Sequence, residues 1–181
     1  MCRPFAASGH RLSNVVPMKA SDILIKSIKS FEGLRLEAYQ DAKGVWTIGY
    51  GHTDQVKPGD RITCEEAETL LKQDLAAFER FVNGLNVCEG SQGRFDALTD
   101  FAYNCGIENL KNSTLLRYIR DNRTEEEIRH EFLRWVYSGG KILNGLKKRR
   151  MWEADRFFEK EKSKKSSKFT LFRDWLKALF N

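Results

Sequence analysis

Residues 31–52 read FEGLRLEAYQDAKGVWTIGYGH, and two kinds of local structure meet in them. Phe31 and Glu32 close an apolar pattern of helical period through Ile23, Leu24, Ile28 and Phe31, capped at its start by Ser21-Asp22 and stopped by Gly33. The next segment reads as a hairpin: Ala42-Lys43-Gly44 supplies the turn, and the β-formers at 45 to 50 supply the return strand. A helix that ends on a carboxylate thus runs directly into a β-hairpin.

Downstream of the hairpin the pattern becomes helical. Thr63-Cys64-Glu65-Glu66 is a capping box that opens a long helix through about Phe81, with Leu70, Leu71, Leu75 and Phe78 on one face. Further helices are predicted over Gly93–Cys105, Ser113–Arg120, Thr124–Tyr137 (again from a capping box, Thr124 with Glu127) and about Leu146–Lys160. A small mixed lobe, a connecting helix and a larger helical lobe make an α+β fold. The 181 residues suit one such domain.

The two ends read differently. MCRPFAASGHRLSNVVP carries Arg3 and Arg11 but lacks the apolar core of a secretory signal, so residues 1–18 are expected to be an irregular leader without chemistry, and the protein to be made in the cytoplasm. Residues 161–168 form a basic linker, and in 169–181 Phe169, Phe172, Trp175, Leu176, Leu179 and Phe180 recur at helical spacing, as in an amphipathic helix. Seven Lys or Arg against two acids from Lys160 onward place a charge of +5 there, out of +6 for the chain, which favours contact with an anionic envelope or membrane surface. No apolar run is long enough to span a membrane. Cys2, Cys64, Cys88 and Cys105 form no metal-binding spacing and read as buried free thiols.

Among many carboxylates, two have unusual placements. Glu32 closes a helix, where the dipole disfavours its ionised form, the direction a general acid needs. Asp41 sits at the mouth of the hairpin turn, and Thr47, on the return strand, can approach it diagonally so that the two hold one water. Taken singly, each has an ordinary explanation as a helix end, a turn residue and a β-former.

Together, residues 31–52 resemble the signature of the phage-type lysozymes, in which a Glu, an Asp nine positions on and a Thr six beyond that form the catalytic set. ITCEEAETLLKQDL (62–75), FAYNCG (101–106), NSTLLRYI (112–119) and the RW…GG…GL…RR series (134–150) extend the resemblance over about residues 19–160. It implies a lysozyme-like fold and hydrolysis of the β-1,4 bond between N-acetylmuramic acid and N-acetylglucosamine in peptidoglycan. Glu32 would be the acid, and Asp41 with Thr47 would position the attacking water, with inversion. It further implies that Tyr103 and Asn104 line the cleft, that Gly139-Gly140 allow close approach of the glycan, and that Arg149 partners Glu32, with Arg150 competing for that role. His52 would be an ion-paired structural residue. No cofactor, metal or nucleic acid is implied, and the protein is expected to act as a monomer on the bacterial cell wall. A lytic transglycosylase, needing no Asp–Thr pair, and an inactive glycan-binding module of the same fold are the competing readings.

Overall fold

The computed structural model describes residues 16–41 and 44–160. Residues 1–15 of the expected leader 1–18, the turn residues Ala42 and Lys43, and the expected linker 161–168 and amphipathic helix 169–181 lie outside the described residues.

Helix α1, Asp22–Glu32, begins where Ser21 Oγ accepts from the Leu24 amide and ends at Gly33, which takes a positive φ of 71°. Its buried residues, Leu24 and Ile28, face a small core shared with Tyr50, Ala67, Leu71 and Leu75. Strands β1, Arg35–Gln40, and β2, Trp46–Gly49, form the antiparallel hairpin, with Tyr39 opposite Thr47 and Gln40 opposite Trp46.

Helix α2, Cys64–Leu85, opens with the expected capping box: Glu66 N–H donates to Thr63 Oγ1, and Thr63 N–H donates to Glu66. It serves both lobes. Ala67, Leu71 and Leu75 belong to the small core, whereas Val82 belongs to the larger one, with Phe78 packed against it. That larger core is built around α3, Gln92–Cys105, with α5, Thr114–Arg120, α6, Glu125–Leu133, and α7, Asn144–Phe157, closed around it. A one-turn helix α4, Ile107–Lys111, follows Gly106 and is too short to leave a periodic signal.

Helix α2 runs on to Leu85 rather than about Phe81 and α7 spans Asn144–Phe157 rather than about Leu146–Lys160, and a further boundary changes the local structure. Helix α6 stops at Leu133, short of Tyr137, and the chain forms a second hairpin, β3 (Tyr137–Ser138) with β4 (Lys141–Ile142). Gly139 and Gly140, at φ 56° and 76°, make its two-residue turn, which needs positive φ at both central positions. The turn and its two short strands therefore end the helix that the capping box at Thr124 opens before it reaches Tyr137.

Two buried aspartates of α3 anchor the elements around it. Asp96 accepts from Ser21 at the start of α1 and from Arg156 of α7, and Asp100 accepts from Arg149 of α7. The first helix is thus anchored to the helical lobe at its N-terminus while its C-terminus reaches the hairpin. No helix among the described residues is long and apolar enough to cross a membrane.

Candidate active site

Between the lobes runs an open cleft of about 470 Å³, lined by the end of α1 (Glu32), the loop after β2 (Gly51, Thr53, Asp54), α2 (Gln73, Asp74, Ala77, Phe78) and the end of α3 (Tyr103, Asn104). The helix-stop Gly33 places Glu32 at the point where the small lobe meets the cleft.

Glu32 Oε1 accepts from Arg149 Nη1 at 2.6 Å. The guanidinium uses its other nitrogens, Nε and Nη2, to bond both oxygens of Asp100 at 2.9 Å. Arg149 also lies over the Phe31 ring, 5.2 Å from its centroid. Burial opposes its charge, but Asp100 and Glu32 outweigh burial and raise the guanidinium above its ordinary range. The competition between the two arginines is thereby resolved: Arg149 takes Glu32, while Arg150 bonds Glu153, Asn104 and Cys105.

Tyr103 is both a packing and a cleft residue. Its ring meets Phe78 edge-on, at 5.3 Å between centroids, and its hydroxyl donates to the Tyr50 carbonyl at 2.7 Å. Burial first, then the Glu32 and Asp74 carboxylates, push the phenol above its usual range, so it stays a donor. Asn104 Oδ1 is fixed by Arg150 at 2.9 Å. His52 Nδ1 lies 3.0 Å from Asp74, as a structural ion pair would place it.

Asp41 and Thr47 meet at one residue. Asp41 Oδ1 accepts from the Val45 amide at 2.8 Å, and Thr47 Oγ1 donates to the Val45 carbonyl at 3.0 Å. The backbone bond from Asp41 N–H to the Val45 carbonyl closes the same turn. These two side chains, with Gly139 and Gly140, are not among those lining the cleft cavity; the glycines form the β3–β4 turn, with open space around them.

The sequence reading missed four contributors. Gly51 holds φ at 98°, and a Cβ there would lie 3.6 Å from the Tyr103 hydroxyl and 3.9 Å from Glu32 Oε2, so the cleft floor stays open beside the acid. Asp54 and Gln73 line the cleft as ordinary-looking polar residues without motif value. Asp100 left one faint signal, an acid within the apolar helix 93–105.

Residues 29–153 match the phage lysozyme family. This chain belongs to that family. It is 44% identical over 147 residues to the endolysin of Bacillus phage B103, an alignment that covers 80% of this chain and 56% of that one. The chain thus spans only about half the length of that relative. The endolysin of Acyrthosiphon pisum secondary endosymbiont phage 1 is 38% identical, with 70% of this chain and 88% of that one covered. Among solved structures, the muramidase domain of SpmX from Asticaccaulis excentricus superimposes with a TM-score of 0.70 at 37% identity, covering 78% of this chain and 99% of that domain. The family match takes in Glu32, Asp41, Thr47, the cleft and Arg149, while the leader and the basic tail fall outside it.

Proposed function

We propose that this protein is a lysozyme that hydrolyses the β-1,4 bond between N-acetylmuramic acid and N-acetylglucosamine in peptidoglycan. The observation that carries the proposal is a carboxyl group at a helix end, on the wall of an open interlobe cleft, oriented through one oxygen by a buried arginine. Glu32 Oε1 is occupied by Arg149, and Oε2 faces Gly51 and the cleft, free to deliver a proton to the glycosidic oxygen. Asp41, held by the Val45 amide, and Thr47, held by the Val45 carbonyl, supply the acceptor and hydroxyl that would orient a water on the opposite face of the sugar. That division of labour gives inversion, with the two carboxyl groups roughly 6.5–9.5 Å apart to accommodate the water. Tyr103 and Asn104 would contact the glycan, with Gly139-Gly140 at the edge of the bound strand.

Substrate would reach the protein at the bacterial wall. The +5 charge from Lys160 onward would add affinity for anionic polymers or lipid there, without a role in the chemistry. No cofactor takes part in this scheme, and one monomer suffices for it.

The test pairs wild type with Glu32→Gln on purified peptidoglycan. The variant keeps shape and loses the proton, so turnover should fall by about 10²–10⁴ with the fold intact. Equal turnover of the two proteins would remove Glu32 from the mechanism.

A further inference from the structure

Behind Glu32 lies a buried cluster of charged groups that exceeds what the acid itself requires. Helix α7 turns Arg149, Arg150 and Glu153 inward, and α3 supplies Asp100; Asp100, Arg150 and Glu153 have no solvent exposure and Arg149 only 3%. Arg150 Nη2 donates to Glu153 Oε1 at 2.6 Å, and Arg149 Nε lies 3.9 Å from the same oxygen. Among the described residues, no hydrogen-bond donor faces Glu153 Oε2. Besides Arg150, the Asp100 carboxylate lies beside the Glu153 carboxyl.

The meeting of two carboxyl groups decides the protonation state. Asp100 and Glu153 have no exposure to water, whereas Glu32 opens on the cleft and stands apart from them. Two adjacent carboxyl groups retain one proton between them. Asp100 accepts two N–H bonds from Arg149, which favour its ionised form, so the proton belongs on Glu153 Oε2, where it converts an unpartnered acceptor into a donor. Burial, opposed by Arg150 and reinforced by Asp100, pushes the Glu153 carboxyl well above the ordinary carboxylate range.

We propose that Glu153 is a positioning residue for Glu32: held as a neutral acid, it donates from Oε2 to Asp100 and fixes the Asp100–Arg149 fork whose remaining nitrogen holds the general acid. This role rests on the reading of Glu32 as the acid. Glu153 touches no substrate in this scheme and acts only through Arg149.

The experiment compares wild type, Glu153→Gln and Glu153→Met by infrared difference spectroscopy at neutral pH and by kcat and KM on peptidoglycan fragments. Wild type should show the carbonyl stretch of one buried protonated acid that Glu153→Gln lacks. Glu153→Gln, which can still donate to Asp100, should keep kcat within about twofold, whereas Glu153→Met should lose about 10–10² in kcat per folded molecule at unchanged KM, as expected for a misplaced catalytic group. A merely structural Glu153 would lower the melting temperature of the Met variant and leave its kcat intact, which overturns the proposal. Should Glu153→Met fail to fold, Glu153→Gln carries the test, and a folded Gln variant more than about tenfold slower also overturns it. A missing acid band with normal wild-type turnover overturns the role of Glu153 alone. The band without any wild-type turnover overturns the assignment of Glu32, and the positioning role with it.

Discussion

Replacing Arg149 with Met removes one guanidinium and strands two carboxylates of very different exposure. Asp100 is fully buried and loses both of its 2.9 Å bonds, whereas the Glu32 side chain, 26% exposed, can be rehydrated from the cleft. The Asp100 loss therefore dominates. Removing one partner of a buried ion pair costs about 3–5 kcal/mol, because the remaining charge has neither water nor counter-ion. For a chain of this size each kcal/mol lowers the melting temperature by about 2–4 °C, so the drop should be roughly 6–20 °C. Met has a flexible chain that fills most of the volume of the arginine stem, which keeps cavity formation a minor contribution. Adding Asp100→Asn removes the stranded charge, and the double variant should recover about 1–3 kcal/mol relative to the single one. Thermal melts at one pH and ionic strength measure both quantities. An Arg149→Met protein melting within about 2 °C of wild type, or a double variant no more stable than the single, would refute the buried-charge reasoning.

Two glycines in helices should respond to Ala with opposite signs. A Cβ at Gly93 in α3 would sit 2.4 Å from the Arg156 carbonyl oxygen, so Gly93→Ala should cost about 1–3 kcal/mol despite its better helix propensity. No atom of the described residues comes within 4 Å of a Cβ at Gly84 in α2, and Gly84→Ala should stabilise by about 0.4–1 kcal/mol; equal shifts in urea midpoints would contradict this contrast. Burial pushes the Cys88 thiol up to about 11, so the unfolded chain releases this proton at lower pH than the folded one. Stability present below the ordinary thiol range is therefore lost as pH rises through about 11, and Cys88→Ala should flatten that alkaline loss; an unchanged slope would remove Cys88 as its source. Ending the chain at Lys160 removes most of the +5 segment, so binding to anionic vesicles should fall while turnover of small soluble glycans stays. The difference should shrink toward 1 M salt, where the Debye length is about 3 Å; vesicle binding indifferent to the truncation would leave the tail without this role.

Much of the fold is legible in the chain because its signals are local. Ser21, Thr63 and Thr124 mark helix starts by capping chemistry, and each is the N-cap that the structure shows. The helix-to-hairpin junction at Gly33 is equally local, and Glu32, the last residue of that helix, lines the cleft. What stayed hidden depends on long-range contacts or on a competition between local signals. Asp100 and Arg149 lie 49 residues apart, and nothing in either segment announces the fork that joins them. Gly139-Gly140 entered the sequence reading only through the resemblance, as a pair that lets the glycan approach, and not as the turn of the hairpin that follows α6. Gly51 carries a functional constraint only because Tyr103 and Glu32 converge on it from distant elements.

Hydrolysis by a Glu32 acid, with water held at Asp41 and Thr47, is tested most directly by mass spectrometry of the ends produced when wild-type protein digests purified peptidoglycan. New reducing N-acetylmuramic acid ends, each carrying one added water, are the expected product. Anhydro-muramic ends, or glycan strands left intact, would contradict this chemistry.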